Sequence, residues 1–184
     1  MKIPASLSLD TTILVLIDYQ ERLFPAMHDK GNLLSHVLKL VEGARVLGLP
    51  VLLTEQYPKG LGPTLPEIKD LLPDVIPLEK TCFSCCEDEH FCSALAASGR
   101  RQVLVAGIEA HICVYQTAFA LARQDYQVQV VSDCIASRDP DNRKAVIDRL
   151  IAAGMPPTTT EMALFEMLKV GRGDVFKQIS SIIK

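Results

Sequence analysis

Two apolar patterns alternate along the chain. Short, mostly apolar runs, rich in β-branched residues, fall at residues 11–17, 51–54, 75–78, 103–106 and 128–131, with a shorter one, all threonine, at 158–160. Runs of this length and composition read as strands buried on both faces. Between them apolar residues recur three and four apart. Leu33, Leu34, Val37, Leu38, Val41, Ala44 and Leu47 form one helical face, with Asn32 as its expected N-cap and Gly48 as its stop. Thr64-x-x-Glu67 and Ser84-x-x-Glu87 have capping-box spacing and open helices towards Leu72 and Ser98. Val114, Thr117, Ala118, Leu121 and Ala122 share a face after the fourth strand. Arg138-Asp139-Pro140-Asp141 begins another helix, and helical segments at 162–170 and 175–183 close the chain. Residues 1–10 read as an arm, 19–30 as a loop, and 55–63, dense in Pro and Gly, as a loop forming a rim or lid. The alternation of strand and helix argues for a parallel-sheet α/β layer fold, with residues 1–184 as one domain.

Composition narrows the function classes. The chain has 184 residues, 48% of them hydrophobic, which suits a globular core. A net charge of -3 with no basic run argues against a nucleic-acid partner. No apolar stretch approaches the roughly 20 residues that span a bilayer, and Met1-Lys2-Ile3-Pro4 lacks a signal peptide's apolar segment. The expectation is a cytoplasmic protein with no membrane partner. Cys82, Cys85, Cys86, Cys92, Cys113 and Cys134 are then free thiols or ligands. Four of them lie with His90 in one short segment, but no second Cys/His pair stands at zinc-site spacing, so neither a metal nor another cofactor is expected.

Three residues carry the candidate chemistry. Asp18 ends the first strand, Lys80 follows the third, and Cys113 lies near the start of the helix after the fourth. Taken singly, each has a plain structural alternative: a turn cap, a surface cation, a small buried hydrophobe. Taken together, all three fall at carboxyl ends of parallel strands, where α/β proteins bind ligands. A helix start favours a thiolate and offers backbone N–H groups to an oxyanion. Asp18 supplies a base for the thiol, and Lys80 compensates the negative charge. Phe24, Tyr57 and Phe83 suggest apolar pocket walls, though each also suits ordinary packing.

The segments Leu-Val-Leu-Ile-Asp18-Tyr-Gln20, Glu-Lys80-Thr-Cys-Phe-Ser84 and Ala-Gly107-Ile-Glu-Ala-His-Ile-Cys113-Val-Tyr-Gln-Thr117 resemble, in order and spacing, the isochorismatase-like cysteine hydrolase superfamily. The resemblance extends from Thr11 to about Gly171, and the Thr-Glu55-Gln-Tyr-Pro-Lys-Gly60 loop is similar to the isochorismatase-domain-containing subgroup. It implies a three-layer α/β/α fold around a parallel sheet of about six strands, in a homo-oligomer. It also implies a cis peptide at Ile108–Glu109 and an oxyanion hole from the N–H groups of Glu109 and Cys113. The implied activity is hydrolysis of a small molecule's C–N bond through a Cys113 thioester, with Asp18 and Lys80. Gln20, Phe24, Tyr57, Phe83, Ile108 and His111 are the expected substrate contacts. Nicotinamidases of the superfamily carry an Asp-x-His after the second strand; here Glu55-Gln56-Tyr57 stands there, which argues against a metal and against nicotinamide. Two competing readings of the same fold stay open: a non-catalytic oligomeric binding module, and a thiol redox or metal sensor built on Cys82, Cys85, Cys86 and Cys92.

Overall fold

The computed structural model describes residues 6–184, so half of the predicted arm lies outside the described residues. Five strands form one parallel sheet: β1 (Thr12–Ile17), β2 (Val51–Gln56), β3 (Leu78–Lys80), β4 (Gln102–Ile108) and β5 (Gln127–Ala136). Their spatial order is β3-β2-β1-β4-β5. The connecting helices are α1 (Lys30–Val46), α2 (Pro58–Leu61), α3 (Pro66–Leu71), α4 (Glu89–Ala97), α5 (Tyr115–Arg123), α6 (Pro140–Ala152), α7 (Thr160–Leu168) and α8 (Asp174–Ile183). Among the described residues, no helix is long and apolar enough to cross a membrane.

Two-sided burial explains the unbroken apolar runs. Successive side chains of a strand point to opposite faces. Leu14 and Leu16 of β1 pack into the layer of α1, α7 and α8, whereas Ile13, Val15 and Ile17 pack into the layer of α4, α5 and α6. All six residues of β1 are buried. Each buried Val, Leu or Ile contributes roughly 1.5–3 kcal/mol of hydrophobic stabilisation, so β1 anchors both layers. This is the expected α/β/α sandwich.

Strand register brings the polar residues together. Ile17 stands between Thr54 of β2 and Gly107 of β4, and Gln56 stands beside Lys80. The chain leaves β1 through Asp18, whose φ of 58° turns it off the sheet. Strands β2 and β3 lie on one side of β1, and β4 lies on the other. The order therefore reverses between β1 and β4, and that reversal opens a crevice at their carboxyl ends.

Several boundaries differ from the sequence expectation. The third strand lies at Leu78–Lys80, because Pro77 cannot donate to a ladder and Ile76 is exposed. The expected sixth strand contributes only one bridge, Thr158 to Val131, before Thr160 opens α7. Helix α1 begins two residues before Asn32, whose amide bonds the Asp29 carboxylate instead of capping. Thr64 gives both its N–H and its hydroxyl to Glu55, so α3 starts at Pro66 without a side-chain cap. Ser84 caps only a short 3₁₀ turn, Cys85–Glu87; Asp88 caps α4 by accepting from Phe91 N–H. The 55–63 segment is partly regular: Glu55 and Gln56 end β2, and Pro58–Leu61 is a helical turn.

A Cβ on Gly107 would lie 2.5 Å from Ile17 Cβ and 2.6 Å from Ile17 O. Gly107→Ala is expected to cost about 1–3 kcal/mol by forcing β1 and β4 apart. The measurement is a urea unfolding curve; an unchanged midpoint would show that the contact yields freely.

Candidate functional site

Asp18 is fully buried, and a buried carboxylate is costly unless paired and hydrogen-bonded. Its side-chain partners come from β2 and from β3 beyond it. The Thr54 hydroxyl donates to Oδ1 at 2.7 Å, and the Lys80 ammonium donates to Oδ2 at 2.7 Å. Its own N–H donates to Thr54 O at 3.2 Å. Lys80 is also buried and donates further to Gln56 Oε1 at 2.7 Å and Cys82 O at 3.3 Å. An ammonium has three donors, so Lys80 is saturated. Burial works against its charge, but the Asp18 carboxylate, helped by Cys85 and Cys113, outweighs that and raises its pKa. Lys80 therefore remains an ammonium at neutral pH.

Cys113 arrives from the other side of the crevice. Strand β4 ends at Ile108, and the Ile108–Glu109 peptide is cis, as the resemblance implies. Ala110–Val114 then form one π-helical turn, closed by Val114 N–H to Glu109 O at 3.4 Å, before α5 begins. Such turns concentrate at functional sites. Cys113 is only 5% exposed. Burial and the Asp18 carboxylate push its pKa far up, with Lys80 opposing them. This corrects the expectation of a resting thiolate: the local charge and burial outweigh the helix start, and Cys113 rests as a thiol beside a carboxylate.

The remaining predicted residues divide by where their side chains are committed. Gln20 is buried; its amide donates to Gln56 O and Gly62 O at 3.0 and 2.7 Å and accepts from Gln56 N–H at 2.7 Å. It pins the segment after β2. Phe24 is buried in the core under α1, and Ile108 is buried at the end of β4. The Glu109 carboxylate is buried and accepts from Arg138 N–H at 3.0 Å and Nε at 3.2 Å. His111 Nδ1 lies 2.9 Å from Ser137 Oγ. Tyr57 and Phe83 are more than half exposed, and Tyr57 borders a cleft of about 350 Å³ with Lys59, Asp88 and Lys80. Hollows of about 480 and 500 Å³ lie elsewhere and touch none of Asp18, Lys80 and Cys113. The size of a hollow is thus no guide here; the gathered acid, cation and thiol mark the candidate site.

Sequence reasoning missed Thr54 and Gln56. Their only signal was polarity at the end of a buried-type strand. Of the clustered thiols, Cys85 is buried with its pKa pushed up to about 12 by burial, while Cys92 Sγ donates a hydrogen bond to Cys86 O at 3.2 Å. Among the described residues, no three His, Cys, Asp or Glu side chains are arranged to hold a metal ion.

A parallel α/β/α sandwich with a buried acid, cation and thiol at its topological switch point has a hydrolase-type fold. The family model described as "Isochorismatase domain" matches residues 12–162, and the chain belongs to the isochorismatase family. It is 37% identical over 174 residues to Isochorismatase domain-containing protein 1 of Salmo salar, covering 95% of this chain and 61% of that protein. The chain therefore spans about three fifths of that relative's length. Among solved structures it matches the MAR1 ribonuclease from Caenorhabditis elegans at TM-score 0.90 and 30% identity, covering 97% and 92% of the two chains. It matches YcaC from Escherichia coli, an octameric hydrolase of unknown specificity, at TM-score 0.93 and 25% identity, covering 100% and 91%.

Lys80→Met leaves Asp18 buried without its cation, and the expected loss is about 3–5 kcal/mol. Adding Asp18→Asn should recover more than half of it. Urea unfolding of the two single variants and the double variant tests this; additive losses would contradict the pairing.

Proposed function

We propose that the protein is a cysteine hydrolase that cleaves a C–N bond of a small amide through a thioester on Cys113. The observation that carries this is the paired Asp18 carboxylate, with its saturated cation, set beside a buried thiol. As Cys113 Sγ attacks the carbonyl carbon, its proton passes to Asp18. Lys80 has no free donor and acts as a fixed counter-charge. The N–H groups of Glu109 and Cys113 receive the oxyanion. Asp18 returns the proton to the departing amine as the C–N bond breaks. Water, deprotonated by Asp18, then attacks the thioester; the acid product leaves and the proton returns to sulfur.

Tyr57, Phe83 and His111 are the residues offered to substrate, while Gln20, Phe24 and Ile108 are buried. The near closure of Cys113 and the exposure of Tyr57 and Phe83 favour a homo-oligomer whose second copy completes the pocket, in keeping with the octameric YcaC. A ribonuclease activity, named for the C. elegans relative, asks for free cations to hold a phosphodiester. The saturated Lys80 and the net charge of -3 favour a small amide instead.

The test is the rate of Cys113 labelling by limiting iodoacetamide, mapped by peptide mass spectrometry. Asp18 and Cys113 are expected to hold one proton between them, so the wild-type rate should stay level from about pH 6 to pH 9. An isolated thiol with so high a pKa would label about tenfold faster per pH unit. Asp18→Asn should convert the level profile into that slope. A sloping wild-type profile that ignores Asp18 would contradict the mechanism.

A further inference from the structure

We infer that Thr54 is a positioning residue that serves Asp18 in both of its protonation states. This deepens the Cys113 mechanism above and rests on it. Asp18 carries one donor on each oxygen: Thr54 on Oδ1 and Lys80 on Oδ2, both at 2.7 Å. The two donors are not equivalent. An ammonium can only donate, whereas a hydroxyl donates, accepts and rotates to suit. Once Asp18 holds the Cys113 proton, it needs a neighbour able to accept. Of its two side-chain donors, only Thr54 can reverse its role.

The surroundings allow that reversal. Cys85 Sγ lies 4.0 Å from Thr54 Oγ1, and Cys85 N–H is held by Thr117 Oγ1 at 3.0 Å, one turn beyond Cys113. At rest the Cys85 thiol points its hydrogen towards Thr54, and Thr54 donates to Asp18. After proton transfer Asp18 donates to Thr54, and the Thr54 hydrogen turns towards Cys85 sulfur. Only hydrogens turn; the single covalent change is the S–H bond of Cys113 exchanged for an O–H bond on Asp18. Thr54 is fully buried and held in register beside Ile17, so no water is needed for the exchange. The ionisable groups facing Asp18 are Lys80 at the end of β3, Cys113 on the π-helical turn and Cys85 on the 3₁₀ turn.

The experiment is Cys113 labelling by iodoacetamide against pH in wild type, Asp18→Asn, Thr54→Val, Thr54→Ala and Thr54→Ser, each checked for folding by thermal melting. Loss of the hydroxyl removes a hydrogen bond that favours the carboxylate form. The acid limb should therefore move up by about one pH unit in Thr54→Val and Thr54→Ala. Thr54→Ser keeps the hydroxyl and should restore the wild-type profile. The Val and Ala variants are alternatives, so one that fails to fold leaves the other to report. Wild-type profiles in the hydroxyl-free variants would overturn the inference, and so would a shift in Thr54→Ser as large as in Thr54→Val. An Asp18→Asn profile identical to wild type would sink the parent mechanism instead, and that outcome is read from a different variant.

Discussion

Two opposite charges, Asp18 and Lys80, are buried together at the carboxyl edge of the sheet, and much of the local structure exists to make that tolerable. Burial of an ion pair is favourable only when the remaining donors and acceptors are also satisfied. Here the satisfaction is complete on the ammonium: Asp18, Gln56 and the Cys82 carbonyl take its three protons. The carboxylate has Thr54 on its other oxygen. Gln56 is in turn fixed by Gln20, which also holds the Gly62 carbonyl. The loop after β2 is thus tied to the same pair that faces Cys113.

The sheet supplies the geometry. β1 sits at its centre, flanked by β2 and β4, and its end residue Ile17 is in register with both Thr54 and Gly107. The close approach at Gly107 lets β4 run alongside β1 up to the point where Asp18 departs. Cys113, on the π-helical turn that follows, lies beside Asp18. An acid, a cation and a thiol from three separate strand ends meet because a parallel sheet aligns all its carboxyl ends on one edge.

Some of this was legible in the sequence, for physical reasons. Strands buried on both faces must be continuously apolar, so β1 and β4 stood out. Asp18 stood out because it interrupts such a run. Lys80 and Cys113 gained weight only once they were seen to share an edge with it. Thr54 and Gln56 were not legible, because their roles depend on β2 lying between β1 and β3, which no local pattern encodes. The capping boxes misled for a similar reason: Thr64 has the right spacing, but a buried Glu55 nine residues away claims both its donors. The resting state of Cys113 was also misjudged from local structure. Its helix start was visible in the sequence, whereas its burial and the Asp18 charge beside it were not.

The central claim is that Asp18 and Cys113 share one proton, held on sulfur at rest. The most direct measurement is carbon NMR of protein labelled at the cysteine β-carbons, with Cys113 assigned by Cys113→Ala and followed in wild type and Asp18→Asn. The account predicts that Cys113 keeps the shift of a thiol up to about pH 9 and responds at low pH when Asp18 takes up its proton. A Cys113 signal that moves to thiolate below about pH 8, identically with and without the Asp18 charge, would contradict it.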